Sequence, residues 1–267
     1  MEEGMKFGSL FTGIGGLDLG LERAGMQCAW HVELDDYCNK VLEKHWPDVP
    51  RFRDVRECGA DNLPAVDLIC GGFPCQPVSC AGKRKGTEDE RWLWPEFARI
   101  IRELRPRFAL LENVPGLLSA YNGGIFGGVL GDLAESGYDA EWDCLSAAQF
   151  GAPHLRFRVF VVAYPSKFCQ GEQVPICGVE ISSIFAGDGE ARDVADAEGS
   201  GLERDESAGQ ACADGCPAEC GGWAVEPDVG RVADGVPHRV DRLRCLGNAV
   251  VPQVAEWIGR RIMEGEK

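Results

Sequence analysis

Lys6-Phe7-Gly8-Ser9-Leu10-Phe11-Thr12-Gly13-Ile14-Gly15-Gly16 runs straight into an apolar-periodic stretch, Leu17 to Ala24. The first part reads as a strand, Lys6 to Phe11, that ends in glycines, and the second as an amphipathic helix. Outward from this unit the pattern repeats. Cys28 to Glu33 reads as a strand and Asp36 to His45 as a helix. Val66 to Gly71 is a third strand. Trp92 to Leu104 is a helix, followed by the strand Phe108 to Leu111. Ile125 to Glu135 is another helix and Arg158 to Ala163 another strand. This alternation predicts an α/β fold: an open, mostly parallel sheet with helices on both faces.

The chain has 267 residues, 45% of them hydrophobic, enough for one substantial core and a small appended lobe. Met1-Glu2-Glu3-Gly4 lacks the basic and apolar pattern of a signal peptide. No apolar run approaches the roughly 18 residues of a membrane-spanning helix. The expectation is a cytoplasmic protein with no membrane partner. There are 13 cysteines, an odd number, mostly in apolar segments, which reads as buried thiols rather than a disulfide framework. Being a cysteine is therefore not diagnostic here, and a reactive one has to be recognised by its surroundings.

The net charge is -16, so phosphate contacts would need local Lys and Arg against an unfavourable overall field. The charge is unevenly placed: between Ser166 and Cys220 stand 12 Asp/Glu against 3 Lys/Arg. Composition changes after Tyr164-Pro165 to Gly, Ala, Asp and Glu, with Phe168 and Phe185 the only aromatics before Trp223. This predicts a loop-rich, partly disordered lobe. Order resumes near Trp223, and Val251 to Ile262 reads as a final helix. The expected organisation is 1–164, a lobe at 165–222, and a return to the first domain at 223–267. Cys212, Cys216 and Cys220 recur every fourth residue, but the spacing matches no common zinc module, so no metal is expected.

Glycines in the Phe11–Gly16 loop let the backbone come close to a ligand, and the following helix start adds unpaired N–H groups. Glu33 ends the second strand 17 residues after Gly16, where a carboxylate can accept from ribose hydroxyls. A nucleoside-containing cofactor and a plain structural turn are both compatible with this loop, and a NAD site would look similar. Asp54 alone reads as a surface turn residue. Gly71-Gly72-Phe73-Pro74-Cys75-Gln76-Pro77 cannot be a core strand, since prolines flank Cys75 at the end of the third strand. Cys75 thus stands where a nucleophile is useful. Ala81-Gly82-Lys83-Arg84-Lys85-Gly86 is a basic loop able to contact phosphates, or a solvated turn. Glu112 follows a buried strand, where desolvation raises a carboxyl pKa; a helix-capping role is the plainer alternative. Arg156 and Arg158 alternate around Phe157, which would put both on one sheet face, around a base carbonyl, a phosphate or solvent.

Together these segments resemble the DNA cytosine-5 methyltransferase family, and in the family's order. Phe11-Thr12-Gly13-Ile14-Gly15-Gly16 resembles its first cofactor motif, and Gly72-Phe73-Pro74-Cys75-Gln76 its nucleophile motif. Asp89-Glu90-Arg91 matches the segment that follows, Glu112-Asn113-Val114 the acid motif, and Gln149 through Arg158 the arginine motif. Gly247-Asn248-Ala249-Val250-Val251-Pro252 resembles the final motif. The match covers 5–163 and about 223–260. Where the family carries Gln, two positions before Arg156, this chain has His154.

The resemblance implies a Rossmann-like class I methyltransferase domain with a small target-recognition lobe. It implies S-adenosylmethionine held by Phe11, Gly13, Gly15, Gly16, Glu33, Asp54, Val55, Pro74, Asn248 and Ala249. It implies catalysis by Cys75, Glu112, Arg156 and Arg158, and double-stranded DNA contacted by Gln76, Lys83, Arg84 and Lys85, with the target base flipped out of the helix. The expected protein is a monomer in a bacterial or phage-infected cell, any restriction endonuclease being a separate chain. The alternatives are a tRNA cytosine-5 methyltransferase, whose Cys-Phe-Thr signature is absent here, and a catalytically silent DNA-binding relative, which need not keep Cys75, Glu112 and Arg158.

Overall fold

A computed structural model describes residues 4–74, 92–166 and 239–265. In chain order the elements are β1 (Lys6–Leu10), α1 (Gly16–Arg23), β2 (Gln27–Val32), α2 (Asp36–His45), β3 (Arg51–Phe52), β4 (Leu68–Gly71) and α3 (Trp94–Leu104). There follow β5 (Phe108–Asn113), α4 (Gly116–Ser119), α5 (Gly124–Glu135), β6 (Tyr138–Ser146), β7 (Phe157–Pro165), α6 (Arg239–Asn248) and α7 (Pro252–Glu264). The strands form one seven-stranded sheet in the order β3-β2-β1-β4-β5-β7-β6.

Side chains alternate across this sheet because successive Cβ atoms point to opposite faces. Leu10, Ile69, Leu111 and Val161 turn to one face and pack with Phe97, Ile101, Val129 and Leu133 of α3 and α5. Phe7, Leu68, Leu110 and Val162 turn to the other and pack with Leu21, Val254 and Ile258 of α1 and α7. The result is three layers, helix on sheet on helix. Each fully buried Leu or Ile contributes roughly 1.5–3 kcal/mol through removal from water, which holds both helix layers down.

The chain's last helix reaches its first. A Cβ on Gly20 would lie 2.4 Å from the Ala255 Cβ and 2.4 Å from the Pro252 carbonyl oxygen. Only the missing side chain lets α1 and α7 approach so closely. This contact delivers residues 248–250 to the loop that follows β1.

β3, β2, β1, β4 and β5 are parallel, while β7 is antiparallel to both β5 and β6. The fold is α/β, as the alternation predicted. From β1 the order runs to β2 and β3 on one side and to β4 and β5 on the other. A crevice opens at such a switch point, outside the carboxyl ends of β1 and β4.

The sequence pattern missed β6, an edge strand. Its alternate residues Tyr138, Ala140 and Cys144 pack on the core, and Trp142 meets Phe126 edge to face at 5.2 Å. Interleaved Asp139, Glu141 and Asp143 lower its β-propensity but blunt the sheet edge against intermolecular pairing. Helix α6 was also missed, since it has little buried apolar surface: Val240, Leu243 and Leu246 are exposed. No helix among the described residues is long and apolar enough to cross a membrane.

Candidate active site

The crevice is a cleft of about 420 Å³ lined from five directions: the β1–α1 loop, the β2–α2 loop, residues 53–56, the ends of β4 and β5, and α6 with the turn after it. That volume lies in the range of about 300–1,000 Å³ usual for small-molecule sites. Of the residues named from sequence, Phe11, Gly13, Gly16, Glu33, Asp54, Val55, Pro74, Glu112, Arg158, Asn248 and Ala249 all line it.

The cleft floor begins where β1 stops. Phe11 takes a left-handed backbone (φ 53), which costs a non-glycine residue about 1–3 kcal/mol. Its ring stacks on Phe97 with centroids 6.3 Å apart, so packing holds the strained turn in place. Gly16 is pressed against the turn after α6, where an added Cβ would sit 2.4 Å from the Val250 carbonyl oxygen. Gly15 caps α1 with φ 82 and shapes the loop from behind the cleft wall.

Glu33 sits just past β2. Its carboxylate accepts from the backbone N–H of Gly13 at 2.6 Å and of Asp35 at 2.7 Å, which ties the glycine loop to the second wall. Burial raises its pKa above the ordinary 4.5, and the two N–H groups oppose that rise. Across the cleft, Asp54 caps a short helical turn by accepting from Arg56 N–H at 3.0 Å, with Val55 buried behind it.

At the other end, β5 carries Glu112 inside the ladder, opposite Phe160 of β7, rather than beyond the strand. Gly72 leaves room for the carboxylate: a Cβ there would lie 2.6 Å from Glu112 Oε2. Burial pushes the Glu112 carboxyl up to about 7, although Arg158 and Arg156 pull the other way. Arg158 Nε pairs with Glu112 Oε1 at 3.0 Å. Asn113 Nδ2 donates to the Phe73 carbonyl at 3.1 Å, fixing the chain just before Pro74.

Arg156 departs from the sequence reading. It precedes β7 with φ 36, so it does not share a sheet face with Arg158. Its guanidinium donates to the carbonyls of Gly247 at 2.7 Å and Ala249 at 2.6 Å. It clamps the turn after α6 and is not among the residues that line the cleft.

Cys75, Gln76, Lys83, Arg84, Lys85, the Asp89-Glu90-Arg91 segment and the 165–222 lobe with Cys212, Cys216 and Cys220 lie outside the described residues. Residues that the sequence reading left out also line the cleft: Asp35, Cys38, Arg244 and Cys245. Asp35 had a legible signal, an Asp directly before a helical run; it caps α2 by accepting from Tyr37 N–H at 2.9 Å and Cys38 N–H at 3.0 Å. Arg244 and Cys245 had none, because α6 itself lacks an apolar stripe.

A buried carboxyl poised near neutrality, paired with a guanidinium, can deliver a proton to a heterocycle while the cation holds an adjacent oxygen. Glu33, Asp54 and the apolar walls fit a nucleoside: a carboxylate for hydroxyls and flat apolar surfaces for a base. The C-5 cytosine-specific DNA methylase family model matches residues 5–177. The Type II methyltransferase M.DsaV from Dactylococcopsis salina is 36% identical over 164 residues, 61% of this chain and 46% of the relative. M.HhaI from Haemophilus parahaemolyticus is 35% identical over 162 residues, 60% and 49% of the two chains. The chain thus spans about half the length of these curated relatives. A prophage-encoded E. coli protein assigned to the DNA modification methyltransferases superposes with a TM-score of 0.52 at 31% identity, covering 60% of this chain and 47% of that one. A DNMT2 variant from Spodoptera frugiperda, with a TM-score of 0.51 at 22% identity over 63% and 52% of the chains, shares the fold.

Proposed function

The chain belongs to the C-5 cytosine-specific DNA methylase family, and on that premise we propose that it methylates C5 of cytosine in double-stranded DNA from S-adenosylmethionine. The observation that carries this reading is the pairing of buried Glu112 with half-buried Arg158 in a cleft whose other residues fit a nucleoside.

Glu33 would accept from the ribose hydroxyls, while Asp54 and Val55 border the adenine. Phe11, Gly13, Gly15 and Gly16 form the turn beneath them, and Pro74, Asn248 and Ala249 complete the walls. When bound, S-adenosylmethionine supplies an electrophilic methyl group on a sulfonium. The protein's task is to make a poor carbon nucleophile reactive. Cys75, next in the chain to the cleft-lining Pro74, would attack cytosine C6 as its thiolate. Electron density would then build at C5. Glu112 would hold or donate a proton at ring N3, while Arg158 contacts the base O2. Loss of the C5 proton and expulsion of Cys75 would restore the aromatic ring. Arg156 would act at a distance, by holding the Gly247–Ala249 turn.

The reaction places the target base outside the duplex, because C6 and N3 cannot both be engaged within a base pair. Gln76, Lys83, Arg84 and Lys85 would meet DNA, and 165–222 would read its sequence. A restriction endonuclease partner would be a separate chain, and the protein would act as a monomer in the cytoplasm.

Incubation of the purified protein with S-adenosylmethionine and a plasmid of diverse sequence, read by bisulfite sequencing, tests the reading. Methylcytosine at a defined motif is expected, and loss of activity in Cys75→Ser assigns the nucleophile. Cofactor-binding protein that leaves plasmid unmodified but methylates tRNA would replace DNA with RNA as substrate.

A further inference from the structure

Cys38 lies in the first turn of α2 and Cys245 in α6, 207 residues apart in the chain, yet their sulfurs are 3.3 Å from each other. Both are buried, each about 5% exposed, and both line the cleft beside Asp35 and Asn248. The contact sits where α6 is joined to the rest of the protein. Arg244, next to Cys245, donates to Asp35 Oδ2 at 2.5 Å, and Asp35 caps the helix that carries Cys38. Arg156 holds the turn that follows α6. Little apolar packing reinforces these bonds, since Val240, Leu243 and Leu246 of α6 are exposed.

We propose that Cys38 and Cys245 are an oxidative modification site: a dithiol that closes to an intrachain disulfide and pins α6 to α2 across the cleft wall. A disulfide is about 2.05 Å long, so the sulfurs must approach by roughly 1.3 Å, within reach of side-chain rotation. Burial and the contact with Cys245 push the Cys38 thiol up, so Cys38 rests protonated and gives up its proton as the oxidant is attacked. Closure requires a two-electron oxidant, a hydroperoxide, entering through the cleft. Both S–H bonds break and one S–S bond forms. Two electrons and two protons pass to the hydroperoxide, whose O–O bond breaks to give water and an alcohol, or two waters from hydrogen peroxide.

The link would fix the wall formed by Asp35, Arg244 and Asn248, and its formation depends on whether the cleft is occupied. That dependence rests on the cofactor reading above; the dithiol itself does not.

The test uses the whole chain, reduced and then treated with hydrogen peroxide, alkylated, digested without reduction and analysed by mass spectrometry. A Cys38–Cys245 peptide pair is expected, reversed by dithiothreitol and absent from both Cys38→Ser and Cys245→Ala. Recovery of both cysteines as alkylated thiols, or joined to other cysteines, overturns the proposal. S-adenosylmethionine at about ten times its Kd is expected to slow closure about ten-fold, in proportion to the occupied fraction. Closure at an unchanged rate leaves the dithiol standing and shows that occupancy of the cleft does not control it.

Discussion

At the scale of single residues, Glu112 is a carboxyl buried on β5 and paired with Arg158. Its carboxyl, ordinarily titrating near 4.5, is pushed up to about 7 by burial against the pull of Arg158. The folded state therefore holds the proton more tightly than the unfolded chain. The stability this contributes is fully present below about 4.5 and is lost as pH rises through about 7. Glu112→Gln removes the titration. Its stability relative to the parent should rise across that window by up to about 3 kcal/mol, read from urea midpoints at a series of pH values; a constant offset would show that Glu112 does not titrate there. The same variant should lose about 10²–10⁴ in turnover if the carboxyl protonates the base, with KM for S-adenosylmethionine little changed. Gly16 makes a different prediction. Its absent Cβ admits the Val250 carbonyl, so Gly16→Ala should destabilise the protein by about 1–3 kcal/mol. A denaturant midpoint equal to that of the parent would mean that the turn yields without cost.

Among the elements, α6 and the turn behind it are the least self-sufficient. They are held by the Arg244–Asp35 bond and by the two carbonyls that Arg156 bonds, rather than by a buried stripe. The charge-assisted bond from Arg156 to the part-buried Ala249 carbonyl contributes about 1.5–3 kcal/mol. Arg156→Ala should therefore weaken S-adenosylmethionine binding by about ten-fold or more, measured by calorimetry. Arg158→Ala should instead spare that affinity and lose turnover, because Arg158 pairs with Glu112 at the inner end of the cleft. Equal effects of the two substitutions on both quantities would erase the distinction between clamp and catalytic arginine.

Across the whole molecule, the described cleft lining comes from residues 11–158 and 244–250, with the return of the chain secured by α7 on α1. Replacing 165–222 with a short Gly–Ser linker should consequently leave S-adenosylmethionine affinity within about three-fold of the parent, under 1 kcal/mol, while site-specific DNA methylation is lost. Retained specificity would move target recognition out of that segment.

Strands β1, β2, β4, β5 and β7 and helices α1, α2, α3, α5 and α7 were legible in the chain itself, while Asp54, Val55, Asn248 and Ala249 of the cleft were assigned only through the family resemblance. Period-2 and period-3.6 patterns, and glycines or prolines at strand ends, are local signals. Each reflects a short piece of backbone choosing which face to bury. What only the tertiary structure decided is non-local. The antiparallel insertion of β7 beside β5 places Glu112 within the ladder, and no local pattern encodes that pairing. Alternation around Phe157 predicts one strand face for Arg156 and Arg158, but the left-handed backbone of Arg156 turns it toward carbonyls 91 and 93 residues away. The meeting of Cys38 with Cys245 likewise depends on the chain's end returning to its beginning, where Gly20 lets α7 lie against α1.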